Sequence, residues 1–138
     1  MIMDKFQKNI LDKLLKNERV YAQELNDGRV ILSDGVRAYM FYGDLYIDIH
    51  KCVITSNLDC FFEKKEDDEL ITSTWVVKKT TSHYIAEYKK QSGELVYIDK
   101  RFVKDTLGLN MYASSSNTRV LCENQLGMPI MVMMPIRA

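Results

Sequence analysis

The chain has 138 residues, 46% of them hydrophobic, and its 19 basic and 19 acidic side chains give a formal net charge of zero. That length suits one domain with a real core, and the balanced charge excludes bulk electrostatic recruitment to nucleic acid or an acidic membrane, leaving only local patches for such binding. Scarce Gly and Pro and the lack of any low-complexity tract exclude a disordered chain, apart from the ends and the charged run Glu63 to Glu69, which reads as a solvated loop.

The first element is a helix over Lys5 to Lys16. Met3, Phe6, Ile10, Leu11, Leu14 and Leu15 fall on one side, and Lys5, Lys8, Asp12, Lys13 and Lys16 on the other. Asp4 serves as its N-cap and Lys16-Asn17 suits its end. Val20 to Leu25, Val30 to Leu32 and Val36 to Tyr42 then form an antiparallel meander, turned at Asn26-Asp27-Gly28 and Ser33-Asp34-Gly35. Leu45 to Ile54 alternates well enough for a strand, and Leu58 to Phe62 is a strand or a helical turn. ITSTWVVKKT (from Ile71) and SHYIAEYKK (from Ser82) predict a hairpin rich in β-branched and aromatic residues, followed by a Ser92-Gly93 turn and the strand ELVYI.

Asp99 caps a second predicted helix, with Phe102, Val103, Thr106 and Leu107 inward, Lys100, Arg101 and Lys104 outward, and Gly108 as its stop. MYASS, TRVLCE and PIMVMMPI supply three closing strands. The same supersecondary pattern therefore occurs twice, at about 1–44 and 93–138, around a strand-rich connection at 45–92. The expected fold class is α+β in a single domain, 1–138. It consists of two pseudo-repeats of a helix plus three antiparallel strands, with helices on one face of a mostly antiparallel sheet.

Three segments resemble one domain of the bacterial DNA polymerase sliding clamp. LVYIDKRFVKDTLG is similar to a strand-then-helix segment of the clamp's last domain. RVLCENQLGMPIMVMMPIRA is similar to its final hairpin and Met-Pro-x-Arg tail, here Met134-Pro135-Ile136-Arg137. RVILSDGVRAYMF is similar to its strand, turn and strand, with Asp34, Gly35 and Arg37 in place. A full clamp subunit carries three such domains, and this chain has length for one.

The resemblance implies a DNA-clamp-like, non-enzymatic binding module without cofactor or metal. Its partners would be a peptide of a replication or repair protein, duplex DNA bound without sequence preference, and further copies of itself. The implied DNA-binding residues are Lys5, Lys8, Lys13, Lys16, Lys100, Arg101 and Lys104, whose phosphate contacts would weaken with salt. The implied peptide groove uses Met134, Pro135, Ile136 and Arg137, with Met131 and Met133 beside them.

Plainer readings stand next to these. Any soluble amphipathic helix displays lysines, Asp12 and Asp105 interrupt the stripes, and no aromatic side chains accompany them. Strand alternation turns Met131 and Met133 into the core. His50, Cys52 and Cys60 lack a second ligand pair at zinc spacing and read as a part-buried cluster. His83 reads as an exposed turn residue, Ser114-Ser115-Ser116 as a loop, and Trp75 as a packed sheet residue. The alternative function is a small stand-alone structural or regulatory interaction protein with no DNA role; an enzyme would require a pocket with converging titratable groups. Met1-Ile2-Met3 followed by Asp4 and Lys5 offers no apolar h-region of a signal peptide. Cys52, Cys60 and Cys122, an odd count with no framework, predict reduced thiols and a cytoplasmic location.

Overall fold

A computed structural model of the protein describes residues 8, 11, 12, 14, 16, 19–42 and 51–136. The chain forms two compact units, Met1–Phe62 and Glu63–Ala138.

In the first unit Lys8, Leu11, Asp12 and Leu14 are helical, with Leu11 and Leu14 buried and Lys8 and Asp12 exposed, the division of faces their spacing predicts. Strands β1 (Tyr21–Glu24), β2 (Val30–Ser33) and β3 (Arg37–Phe41) form the expected antiparallel meander. A short β4 (Val53–Ile54) joins β1 in parallel, Val53 opposite Tyr21. Asp59–Phe62 is a 3-10 helix tied back to β1: the Gln23 side-chain amide donates to Asp59 Oδ1 at 3.1 Å, and the Asp59 N–H donates to Gln23 Oε1 at 2.9 Å.

The turn between β2 and β3 is held by its own side chains. Asp34 Oδ1 accepts from the Val36 and Arg37 amides, each at 2.9 Å, and Oδ2 accepts from Arg37 Nε at 3.0 Å. Three bonds to one carboxylate hold the β2–β3 register from within the turn itself. Asp34→Ala is expected to cost about 2 kcal/mol, read as a lowered thermal midpoint, and Asp34→Asn to recover most of it because it keeps an acceptor for the amides.

The second unit contains β5 (Glu69–Lys79), β6 (Tyr84–Lys90), β7 (Leu95–Asp99), β8 (Asn110–Ala113), β9 (Val120–Glu123) and β10 (Pro129–Met133). They lie in the order β10-β9-β8-β5-β6-β7, every neighbouring pair antiparallel. The β6–β7 and β9–β10 hairpins share one turn. Gly93 N–H donates to Lys90 O at 3.0 Å and Gly127 N–H to Asn124 O at 3.0 Å, closing three-residue loops with glycine at the left-handed position.

After β10 the Ile136 amide donates to Tyr97 O in β7 at 2.8 Å. A flat sheet would hold β10 and β7 about 24 Å apart, whereas three residues span only about 10 Å. These strands therefore curl until the segment after β10 reaches β7, enclosing Ile98, Val96, Leu121, Met131 and Met133, all fully or almost fully buried. Met131 and Met133 are core residues, as alternation requires.

The expected α+β, DNA-clamp-like duplication is not what the chain forms. Among the described residues ten strands dominate, mixed in direction because β4 is parallel to β1. The second predicted helix is a seven-residue 3-10 segment, Lys100–Thr106. Its length is too short to repay an α-helical nucleus, Val103 and Thr106 are β-branched, and the Thr106 hydroxyl donates to Val103 O at 2.6 Å, the three-residue spacing of a 3-10 turn. The three closing strands are not a second copy of β1–β3 either. β8 pairs with β5, so they belong to one sheet with the strands of the supposed connection.

Candidate functional site

Strand β5 is eleven residues long, but β8 opposes only Glu69, Leu70 and Ile71. On its other side β5 pairs with β6 at both ends, and the register breaks between Ser73 and Val77. Within that break Ser73 Oγ accepts from the Trp75 amide at 3.0 Å and Thr74 Oγ1 accepts from the Val76 amide at 3.3 Å. The Thr74 hydroxyl also donates to Glu87 Oε1 on β6 at 3.0 Å. Two short hydroxylated side chains thus take up the amides that the bulge withdraws from the ladder. At its apex Trp75 has φ +65° and is 89% exposed. A bulky residue with left-handed backbone is an outlier, and an apolar one held in water is a second.

Opposite the bulge runs the 3-10 helix. Its period of three residues aligns Arg101, Lys104 and Leu107, all exposed, while Phe102, Asp105 and Thr106 are buried. Leu107, expected to face inward, is 74% exposed, and Asp105 is buried instead. Between the two walls lies a groove of about 810 Å³. Its apolar lining includes Leu70, Trp75, Val76, Val77, Val103 and Leu107, and Lys100, Arg101 and Lys104 stand on its rim. Lys100 Nζ sits 5.9 Å from the Tyr84 ring centre and Lys79 Nζ 5.8 Å from it. Arg101 is held by Asp99, which accepts from its backbone amide at 2.9 Å and from Nη2 at 2.6 Å. The Arg101 hydrogen bond keeps the Asp99 carboxyl below its ordinary range.

The structure brings three of the expected DNA-binding residues, Lys100, Arg101 and Lys104, to one rim and places aromatic side chains beside them. Lys8 and Lys16 are exposed in the first unit; Lys5, Lys13 and Arg137 lie outside the described residues. Met134 is 44% exposed and Pro135 and Ile136 are half-buried, but none of the three lines the groove. Trp75, expected to pack in the sheet, is the most exposed of the large apolar side chains described. A bulge signal was present in Ser73-Thr74, two hydroxyls directly before a tryptophan.

The run Glu63 to Glu69 is not simply a solvated loop. The Asp68 side chain is fully buried and receives Arg119 Nη1 at 2.8 Å and Nη2 at 2.9 Å, the Ser114 hydroxyl at 2.8 Å and the Lys65 amide at 2.7 Å. Burial alone would raise its carboxyl; the Arg119, Lys65 and Ser114 hydrogen bonds outweigh that and hold it at about 2. Next to it Lys90, 7% exposed, pairs with Glu69 at 3.0 Å and Glu94 at 3.2 Å. These charges satisfy one another and bind the loop to β6 and β9.

Among the described residues no three His, Cys, Asp or Glu side chains are grouped to hold a metal ion, and His50 is not among them. Burial pushes the Cys122 thiol up to about 12, whereas Cys60 is exposed. A disulfide-exchange reagent is expected to label Cys60 in the folded protein and Cys122 only after unfolding, as peptide mapping would read. No described helix is long and apolar enough to cross a membrane. No protein-family model matches the chain, and no curated protein or solved structure matches it either.

Proposed function

We propose that this chain is a non-enzymatic binding module of the cytoplasm that captures a segment of a partner protein in the groove between the β5 bulge and the 3-10 helix. The observation that carries this reading is Trp75, held 89% exposed at φ +65° by a bulge whose amides are taken up by Ser73 and Thr74. Strained backbone and an unburied aromatic persist where the side chain is used. The three cysteines, none of them joined in a disulfide, support a reducing compartment. Of the roles that a sliding-clamp resemblance implies, peptide capture in replication or repair is the one this surface favours.

Selection of random displayed peptides tests the proposal. Wild-type protein should enrich apolar sequences with acidic flanks, and Trp75→Ala and Leu107→Ala should not. Equal enrichment on wild type and both variants would sink it. A second reading, duplex DNA held through phosphates, is favoured by the gathering of Lys100, Arg101 and Lys104 on one rim. It requires retention on duplex DNA at low salt that Lys100→Ala/Lys104→Ala removes; retention unaffected by that variant would discard it.

A further inference from the structure

Beyond its first three residues, β5 has β6 on one side and, among the described residues, no strand on the other. Thr72 to Lys79 thus present an open edge, because the chain that would continue β8 in that direction turns away through Leu109 and Gly108 into the 3-10 helix. The groove lies along this edge. An unpaired strand edge beside an apolar trough is a template for strand addition, with main-chain bonds giving affinity and alternate side chains giving selectivity.

Resting on the proposed binding role, we propose that the groove takes its ligand as an added β-strand, running antiparallel to β5 in the line that β8 vacates. The ligand is an extended protein segment with alternating aliphatic residues and acidic flanks. Its aliphatic residues face Val77, Leu107 and the Trp75 ring, and its carboxylates meet Lys100 and Lys104. Charge complementarity selects this occupant over a second copy of the chain. Edge-to-edge pairing of two copies about a twofold axis would set the Lys100, Arg101 and Lys104 rims against each other. The bulge narrows the choice further. Ser73 and Thr74 occupy the amides of Trp75 and Val76, so the edge is open in short stretches on either side of Trp75 and resists indiscriminate pairing.

The test uses the full chain and a synthetic peptide of roughly six alternating valines and threonines with aspartates at both ends, a strand-length probe. Trp75 is the only tryptophan, so its fluorescence reports the groove directly. Methylating the amides on one edge of the peptide should weaken binding at least about tenfold, and methylating those on the opposite edge should change it less than about twofold. Exchanging the aspartates for lysines should also weaken binding about tenfold. If both methylated peptides bind like the parent, strand addition is overturned while groove binding stands. If no peptide perturbs Trp75 or gives heat on titration, both fall. A concentration-dependent dimer that protects Trp75 would replace the proposed occupant with a second copy.

Discussion

Removing the Asp68 carboxylate is expected to cost the second unit about 3–5 kcal/mol, because the Arg119 guanidinium, 5% exposed, would lose both bonds to its counter-charge while staying buried against the Glu63 carbonyl at 2.7 Å. Against a usual domain stability of about 5–15 kcal/mol, Asp68→Ala should leave much of the unit unfolded at physiological temperature. Urea unfolding would read this, and a loss below about 1 kcal/mol would refute it. Replacing both partners with apolar residues, Asp68→Leu with Arg119→Met, should recover most of the loss, since no unpaired charge is then buried. The same carboxylate sets an acid limit. Its folded-state pKa of about 2 lies below the ordinary 3.8. Its contribution, on the order of 2 kcal/mol, is therefore complete above pH 3.8 and lost as pH falls through about 2. Asp68→Asn should flatten the thermal midpoint across that window.

Trp75→Gly is expected to separate stability from binding. Left-handed backbone costs a bulky residue about 1–2 kcal/mol, which glycine does not incur, while glycine gives back about 0.5–1 kcal/mol through its freer unfolded chain. The net expectation is a gain of up to about 1.5 kcal/mol by urea unfolding, together with a loss of about 2 kcal/mol, some thirtyfold, in affinity for the aspartate-flanked peptide. A clear loss of stability would mean that Trp75 packs against something essential and would remove the main support for the groove as a site.

The strands were largely legible. Val30 to Leu32, Val36 to Tyr42 and ELVYI were framed by Asp-Gly or Ser-Gly turns, whose local chemistry acts before any long-range contact forms. The polar and apolar faces around Lys8, Leu11, Asp12 and Leu14 were equally readable, since helical period depends on spacing alone. The second helix was misread because an apolar residue at each expected position cannot distinguish a period of 3.6 from one of three over seven residues. Glu63 to Asp67 are the exposed loop expected, but the burial of Asp68 was not legible, because its ion pair joins it to Arg119 across 51 positions. Charge density within the run carried no trace of it.

Local chemistry in the chain thus dictated the hairpins, their turns and the alternation that puts Met131 and Met133 on one face, because each depends on neighbours within a few residues. It also placed Lys100, Arg101 and Lys104 on one exposed segment. Long-range pairing settled the rest. The β8–β5 ladder stops at Ile71, which opens the edge of β5, and the mismatch of β5 against β6 lifts Trp75 out of the sheet. Where a ladder ends depends on how two distant strands meet, so the groove and the residue that defines it exist only in the folded protein.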